Sequence, residues 1–208
     1  MKKIAVLVSG GGTNLQALLD AMQEDRLGGG KIVLVISSRA DAYALERAKR
    51  AGVETAVVSK KDWPDAEARD TRLLALLAEH EIELVVLAGY LSILSPRVIE
   101  AYRNRIINIH PSLIPSFCGA GFYGLRVHEA VLEYGVKLTG ATVHFVNEIP
   151  DGGAILLQKS VAVKTGDTPE VLQKRVMEEA EWNLLPRAVA LYCEDRITMV
   201  DGKAVITE

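Results

Sequence analysis

Five consecutive apolar residues, Ile4-Ala-Val-Leu-Val8, run without alternation straight into Ser9-Gly-Gly-Gly-Thr-Asn14. An unbroken apolar run this short reads as a strand buried on both faces, and such strands belong to parallel sheets covered by helices. After the glycines, Leu15, Leu18, Leu19 and Met22 recur on one helical face. The unit then repeats. Ile32–Ile36 is a second buried strand; Ala44, Leu45, Ala48 and Ala51 mark a helix that stops at Gly52. Glu54–Val58 is a third strand, Ala66–His80 a third helix and Leu84–Ala88 a fourth strand. This rhythm predicts an α/β fold: a Rossmann-like, open, mostly parallel sheet with helices on both faces.

The rhythm changes downstream. Arg105–Ile109 reads as a short fifth strand ending at His110, and Pro111–Gly124 as an irregular loop. Val127–Tyr134 is a short helix, and Thr142–Val146 and Ile155–Val163 are extended strands around an Asp151-Gly-Gly153 turn. Thr168–Tyr192 is a long amphipathic helix carrying Pro186, where a kink or a new start is expected. The tail Ile197–Thr207 alternates around Asp201-Gly202, a hairpin signal. At 208 residues the chain fits a single domain.

Composition narrows the function classes. Apolar residues at 49% and charged residues at 25% exclude a disordered or collagenous chain. A net charge of −3 gives no global pull toward nucleic acid or acidic membranes, and it is compatible with a local basic pocket for one phosphate. Cys118 and Cys193 lack metal spacing and fit a reducing, cytoplasmic setting. There is no HExxH and no cysteine pair, so no catalytic metal is expected. The start of the chain meets glycine too soon for a signal peptide, and its longest apolar stretch falls far short of the ~20 residues of a membrane helix.

Open parallel sheets bind ligands at the carboxyl ends of their strands, near the switch in strand order. Three polar segments follow strands here: Ser9–Asn14, Gly89–Ser95 and Asn108-Ile-His-Pro-Ser112. If the first and fourth strands are neighbours, all three converge. Ser9–Asn14 reads either as a phosphate cradle of glycine N–H groups at a helix start, or as a tight turn capped by Thr13 or Asn14. Strand alternation puts Asn108 and His110 on one face. An amide beside an imidazole suits oxyanion stabilisation with proton transfer; the plain alternative is a strand end with a structural histidine. Asp151-Gly-Gly153 alone is an ordinary turn. His80 reads as solvated, His128 as lying on a helix surface and His144 as packed in a strand.

Ser9-Gly-Gly-Gly-Thr-Asn-Leu15, Ala88–Pro96, Asn108-Ile-His-Pro-Ser-Leu-Ile-Pro115 and Thr142–Val146 with Asp151-Gly-Gly153 occur in an order and spacing that resembles the folate-dependent formyltransferases, in particular the glycinamide ribonucleotide branch. The resemblance spans essentially the whole chain. It implies a formyltransferase domain over 1–208, with a phosphate-binding half, 1–100, and a folate-binding and catalytic half, 101–208, ending in a long helix and a small hairpin. It implies a catalytic Asn108, His110 and Asp151. Gly12, Thr13 and Asn14 match the segment that holds the substrate phosphate, and Glu181, across one gap, matches a glutamate on the ribose. Leu91, Ser92, Ile93 and Leu94 match the wall of the pterin pocket. Asn147, Glu148, Ile149, Pro150 and Asp151 match the loop that closes on it, with Asn108 beside them.

The implied co-substrate is 10-formyltetrahydrofolate, without a metal, in a monomer or homodimer; the implied acceptor is 5'-phosphoribosylglycinamide. The expected mechanism keeps His110 protonated beside Asp151 while Asn108 donates to the oxyanion. A hydrolase that deformylates the same folate is the alternative reading, and a nucleotide-sensing module that needs no triad is another. The pattern also departs from many relatives, which carry Met-Arg where this chain has Leu91-Ser92 and a compact loop where it has Phe117–Gly124. Many also carry a basic residue near Ala66, for which Lys60, Lys61 or Arg69 would have to substitute.

Overall fold

The structure, a computed structural model, describes residues 1–207. Strands β1 (Lys2–Val8), β2 (Gly30–Ser37), β3 (Glu54–Val57), β4 (Leu84–Leu87) and β5 (Ile106–His110) alternate with helices α1 (Thr13–Gln23), α2 (Tyr43–Arg50), α3 (Ala66–Glu79) and α4 (Pro96–Ala101). Helix α5 (Leu125–Tyr134) leads to β6 (Leu138–Phe145) and β7 (Ile155–Ala162). Helix α6 (Pro169–Val176), a π turn (Met177–Glu181) and α7 (Trp182–Cys193) then precede a hairpin of β8 (Ile197–Val200) and β9 (Lys203–Ile206).

The main sheet has the order β3-β2-β1-β4-β5-β6-β7. It is parallel from β3 to β5, and β6 and β7 add antiparallel strands. Both faces are covered. Ile4, Val6 and Val8 pack with Leu15, Leu18 and Leu19 of α1, while Ala5 and Leu7 pack with Leu73 and Leu77 of α3 and Val98 and Ile99 of α4. That two-sided burial is why β1 shows no alternation. The chain leaves β1 toward β2 on one side and returns to β4 on the other. The strand order therefore switches between β1 and β4, and their carboxyl ends open on one cleft.

The structure corrects the sequence reading in four places. Helix α4 had no periodic signal because it has only six residues; Ser95 caps it by accepting from the Val98 N–H, and Pro96 starts it. The long C-terminal helix breaks upstream of Pro186, as a π turn. Pro186 cannot bond the Trp182 carbonyl, and the helix widens in the turn just before that residue. The N-cap of α1 is Gly12, in the left-handed region at φ 74, so neither Thr13 nor Asn14 caps it.

The fourth correction is His128, which is fully buried on α5 beside Val127 and Val131, and neither of its ring nitrogens has a protein partner. Burial pushes it down from 6.5 to about 4, with His110 adding to the effect. An unfolded chain therefore takes up this proton first as pH falls, and stability drops between about pH 6.5 and about pH 4, by about 3 kcal/mol from this group. His128→Leu is expected to keep or raise the urea midpoint near pH 7 and to flatten its fall toward pH 4. An equal fall in parent and variant would contradict that role.

Candidate functional site

The loop from Ser9 to Asn14 is a nest of free donors. Its carbonyls are turned away: Gly10 O accepts from the Ala44 N–H at 3.0 Å, Gly11 O from Arg47 Nε at 2.8 Å and Gly12 O from the Gln16 N–H at 2.9 Å. None of the N–H groups of Gly10 to Asn14 donates to an acceptor among the described residues. Free N–H groups at a helix start, with the helix dipole behind them, form an anion site. The glycines differ in purpose. A Cβ on Gly12 would lie 2.6 Å from Ala44 Cβ, so packing demands that glycine. A Cβ on Gly10 or Gly11 would meet nothing within 4 Å.

Asn14 and Glu181 meet next to this nest. Asn14 Nδ2 donates to Glu181 Oε2 at 2.6 Å, and Asn14 Oδ1 is buried without a partner. Glu181 is 4% exposed, and burial pushes its carboxyl up to about 7 against the pull of Asn14. It ends the π turn, where Ala180 and Glu181 are both buried. A π turn accommodates one added residue in a helix.

A second cavity, of about 150 Å³, lies at the carboxyl ends of β4 and β5. Ser92, Ile93 and Leu94 form one wall, Asn147 to Asp151 the other, and Asn108 and His144 the floor. Ile93 and Ile149 are exposed apolar side chains at its mouth. Gly153 lets the 147–151 turn close back on β6, since a Cβ there would strike the Phe145 carbonyl at 1.7 Å. Leu91, expected in the wall, is not in it: its side chain is 59% exposed and its N–H is held by Ser9 Oγ at 2.9 Å. Lys60 and Lys61 line a neighbouring groove that shares Ser92, and Arg69 is turned to the Trp63 carbonyl.

Asn108 and His110 do share a face of β5, opposite to Ile107 and Ile109. The antiparallel register sets Asn108 against His144 and His110 against Thr142. Asn108 Nδ2 lies 3.1 Å from His144 Nε2, and His144 Nδ1 lies 2.8 Å from the Phe145 carbonyl. A carbonyl only accepts, which assigns the proton to Nδ1 and makes Nε2 the acceptor of one Asn108 amide hydrogen. Asp151 sits between two histidines, with Oδ2 3.5 Å from His110 Nδ1 and Oδ1 3.6 Å from His144 Nε2. The Gly119 N–H donates to Asp151 Oδ2 at 2.8 Å, and His110 Nε2 donates to the Phe117 carbonyl at 2.9 Å. The Phe117–Gly124 loop thus braces both residues, and Nδ1 is the His110 nitrogen directed at Asp151.

His110 is only 4% exposed, and burial lowers its pKa against the opposing pull of Asp151 and the Phe117 carbonyl. The protonated ground state expected from sequence is therefore not what this environment favours. Burial also acts to raise Asp151, but the Gly119 N–H and the His110 imidazole oppose it and hold its carboxyl below the usual range; His144 Nε2, already the acceptor for Asn108, has no hydrogen to add. His144 is more than a packed strand residue. Its position two residues after Thr142 in a strand was legible, but its pairing with Asn108 depends on register. Burial raises the Cys118 thiol, so it is no activated nucleophile. His80, partly buried, is tied to the Leu76 carbonyl and Glu54, far from the cleft in the fold.

The formyl transferase family matches residues 2–189. The chain is 40% identical over 206 residues to phosphoribosylglycinamide formyltransferase from Haemophilus influenzae, covering 99% of this chain and 94% of the relative. It is 44% identical over 189 residues to the trifunctional purine biosynthetic protein adenosine-3 of Gallus gallus, covering 91% of this chain but only 18% of that much longer protein. Among solved structures, glycinamide ribonucleotide transformylase 1 from Symbiobacterium toebii superposes with a TM-score of 0.93 at 43% identity, over 100% of this chain and 95% of the other. A family match over residues 2–189, with a relative 40% identical along nearly the whole of both chains and a solved structure that superposes at a TM-score of 0.93, leaves one assignment: the chain belongs to the formyl transferase family.

Proposed function

We propose that the chain transfers the formyl group of 10-formyltetrahydrofolate to the amine of 5'-phosphoribosylglycinamide, a cytoplasmic step of purine synthesis. The observation that carries this reading is a pair of sites at one end of the sheet: an N–H nest shaped for a phosphate, and a slot floored by an amide donor with a His–Asp pair beside it. In this reading the nest holds the remote phosphate, Glu181 and the free Asn14 Oδ1 accept from ribose hydroxyls, and the slot holds the pterin. Each site draws on both halves of the chain, since Ser92–Leu94 belong to the first hundred residues and Glu181 to the last helix bundle.

The chemistry follows from where charge develops. The amine attacks the formyl carbon; a C–N bond forms and the carbonyl becomes an oxyanion. Asn108 meets it with the amide hydrogen that His144 leaves free. Burial keeps His110 neutral beforehand, so the proton it gives to the departing folate nitrogen is the one the amine releases, passed across Asp151 to Nδ1. The negative oxyanion and Asp151 favour that transient imidazolium. The C–N10 bond then breaks, and proton and charge are balanced without a metal step. Anchoring the phosphate lowers the entropic part of the barrier.

Gly11→Val tests the nest. The fold has room for the side chain there, whereas Gly12→Val would strike α2 and report on folding. Steady-state kinetics are expected to show the KM for the ribonucleotide rising at least about tenfold, the scale of a lost charge-assisted bond, with the KM for folate little changed. An equal rise in both KM values would contradict the assignment.

A further inference from the structure

Ser9 is 2% exposed, and its hydroxyl joins three strand ends. It follows β1, lies 2.6 Å from Ser38 Oγ after β2, and accepts the Leu91 N–H, in the loop after β4, at 2.9 Å. Among the described residues this is the one hydrogen bond between the cradle, Ser9–Asn14, and the slot wall, Gly89–Leu94. The segments on either side have distinct occupants in the reading above: an anion on the N–H groups that begin at Gly10, and a pterin against Ser92–Leu94. The slot wall leaves β4 through Gly89, at φ 71, so its direction depends on what holds it beyond that turn. The first such hold is the Leu91 N–H on Ser9.

We infer that Ser9 is a positioning residue that couples the two ligand sites: an anion on the cradle fixes Ser9, and Ser9 fixes the Leu91 amide and with it the wall of the slot. The inference rests on the reading of the slot as a folate site. Its physical content is reciprocal. If ordering one loop removes freedom that the other ligand must otherwise remove, each ligand tightens the other by the same factor. Ser9 touches neither ligand in this account. It acts through the backbone on each side of it, and the Ser38 hydroxyl only completes its hydrogen bonding.

Calorimetric titration of the full chain with 5,8-dideazafolate, a non-reacting folate analogue, with and without saturating inorganic phosphate, tests the coupling. In the parent, phosphate is expected to tighten analogue binding about fivefold or more, the lower end of ordinary site-to-site coupling. In Ser9→Ala both ligands still bind, and the factor falls to about one. Ser38→Ala, which leaves the Leu91 bond in place, keeps it. A factor of one in the parent, or an undiminished factor in Ser9→Ala, overturns the inference and leaves the folate assignment standing. Absence of any analogue binding to the parent overturns the folate assignment and the coupling with it. Hydrogen exchange needs no variant: phosphate is expected to slow exchange of the Leu91 amide about fivefold while the Val86 amide in β4 is unchanged, and an unaffected Leu91 amide counts against the coupling.

Discussion

Asp151→Asn lowers kcat for formyl transfer by at least about a hundredfold, the scale of one acid–base partner, and leaves both KM values within a few-fold. Asparagine keeps the size of the side chain and can occupy the left-handed backbone found at Asp151, φ 55, so the turn survives. The Gly119 N–H keeps an oxygen acceptor. What disappears is the charge between His110 and His144, and with it the route by which the amine proton reaches His110 Nδ1. His110 is then left with burial alone against the carbonyl of Phe117, so its titration moves to still lower pH than in the parent. Single-turnover transfer and an NMR titration of His110 check both effects. Near-parental turnover, or an unmoved His110, would return Asp151 to the role of a turn residue.

Asn108→Ala is expected to lower kcat by about 10²–10³, the usual loss of one oxyanion donor. The effect should sit in kcat, because the donor matters most when the carbonyl oxygen carries charge. The variant also strands His144 Nε2, a buried acceptor, so a stability loss of about 1–3 kcal/mol accompanies it. The two losses are separable: urea unfolding reads the second, and rapid-quench formyl transfer on folded protein reads the first. A kcat within about tenfold of the parent would remove Asn108 from the oxyanion role.

Strands β1, β2 and β4 were legible because each is buried on both faces, which writes an unbroken apolar run into the sequence, whereas the part-exposed edge strand β3 was legible from the repeating strand–helix rhythm. From β5 onward the sheet turns antiparallel, and contacts depend on register. Asn108 and His110 were placed together by alternation along one strand, but nothing local shows that His144 lies opposite Asn108. Asp151 illustrates the limit most sharply. Its neighbours spell a turn, and its place between two histidines comes from Gly153, which lets the turn close on β6. His128 was legible and misread: Val127, His128 and Val131 form one buried stripe of α5, and a histidine in that stripe goes inside with it. The six-residue α4 and the π turn before Pro186 are too short or too irregular to leave a periodic trace.

The most direct measurement mixes the protein with 10-formyltetrahydrofolate and follows deformylation with and without 5'-phosphoribosylglycinamide. A slot that offers the formyl carbon to an amine anchored at the nest predicts rapid deformylation only when the ribonucleotide is present, with one formylated ribonucleotide made for each folate consumed. Deformylation at the same rate without the ribonucleotide, releasing formate, would contradict the account and make water the acceptor.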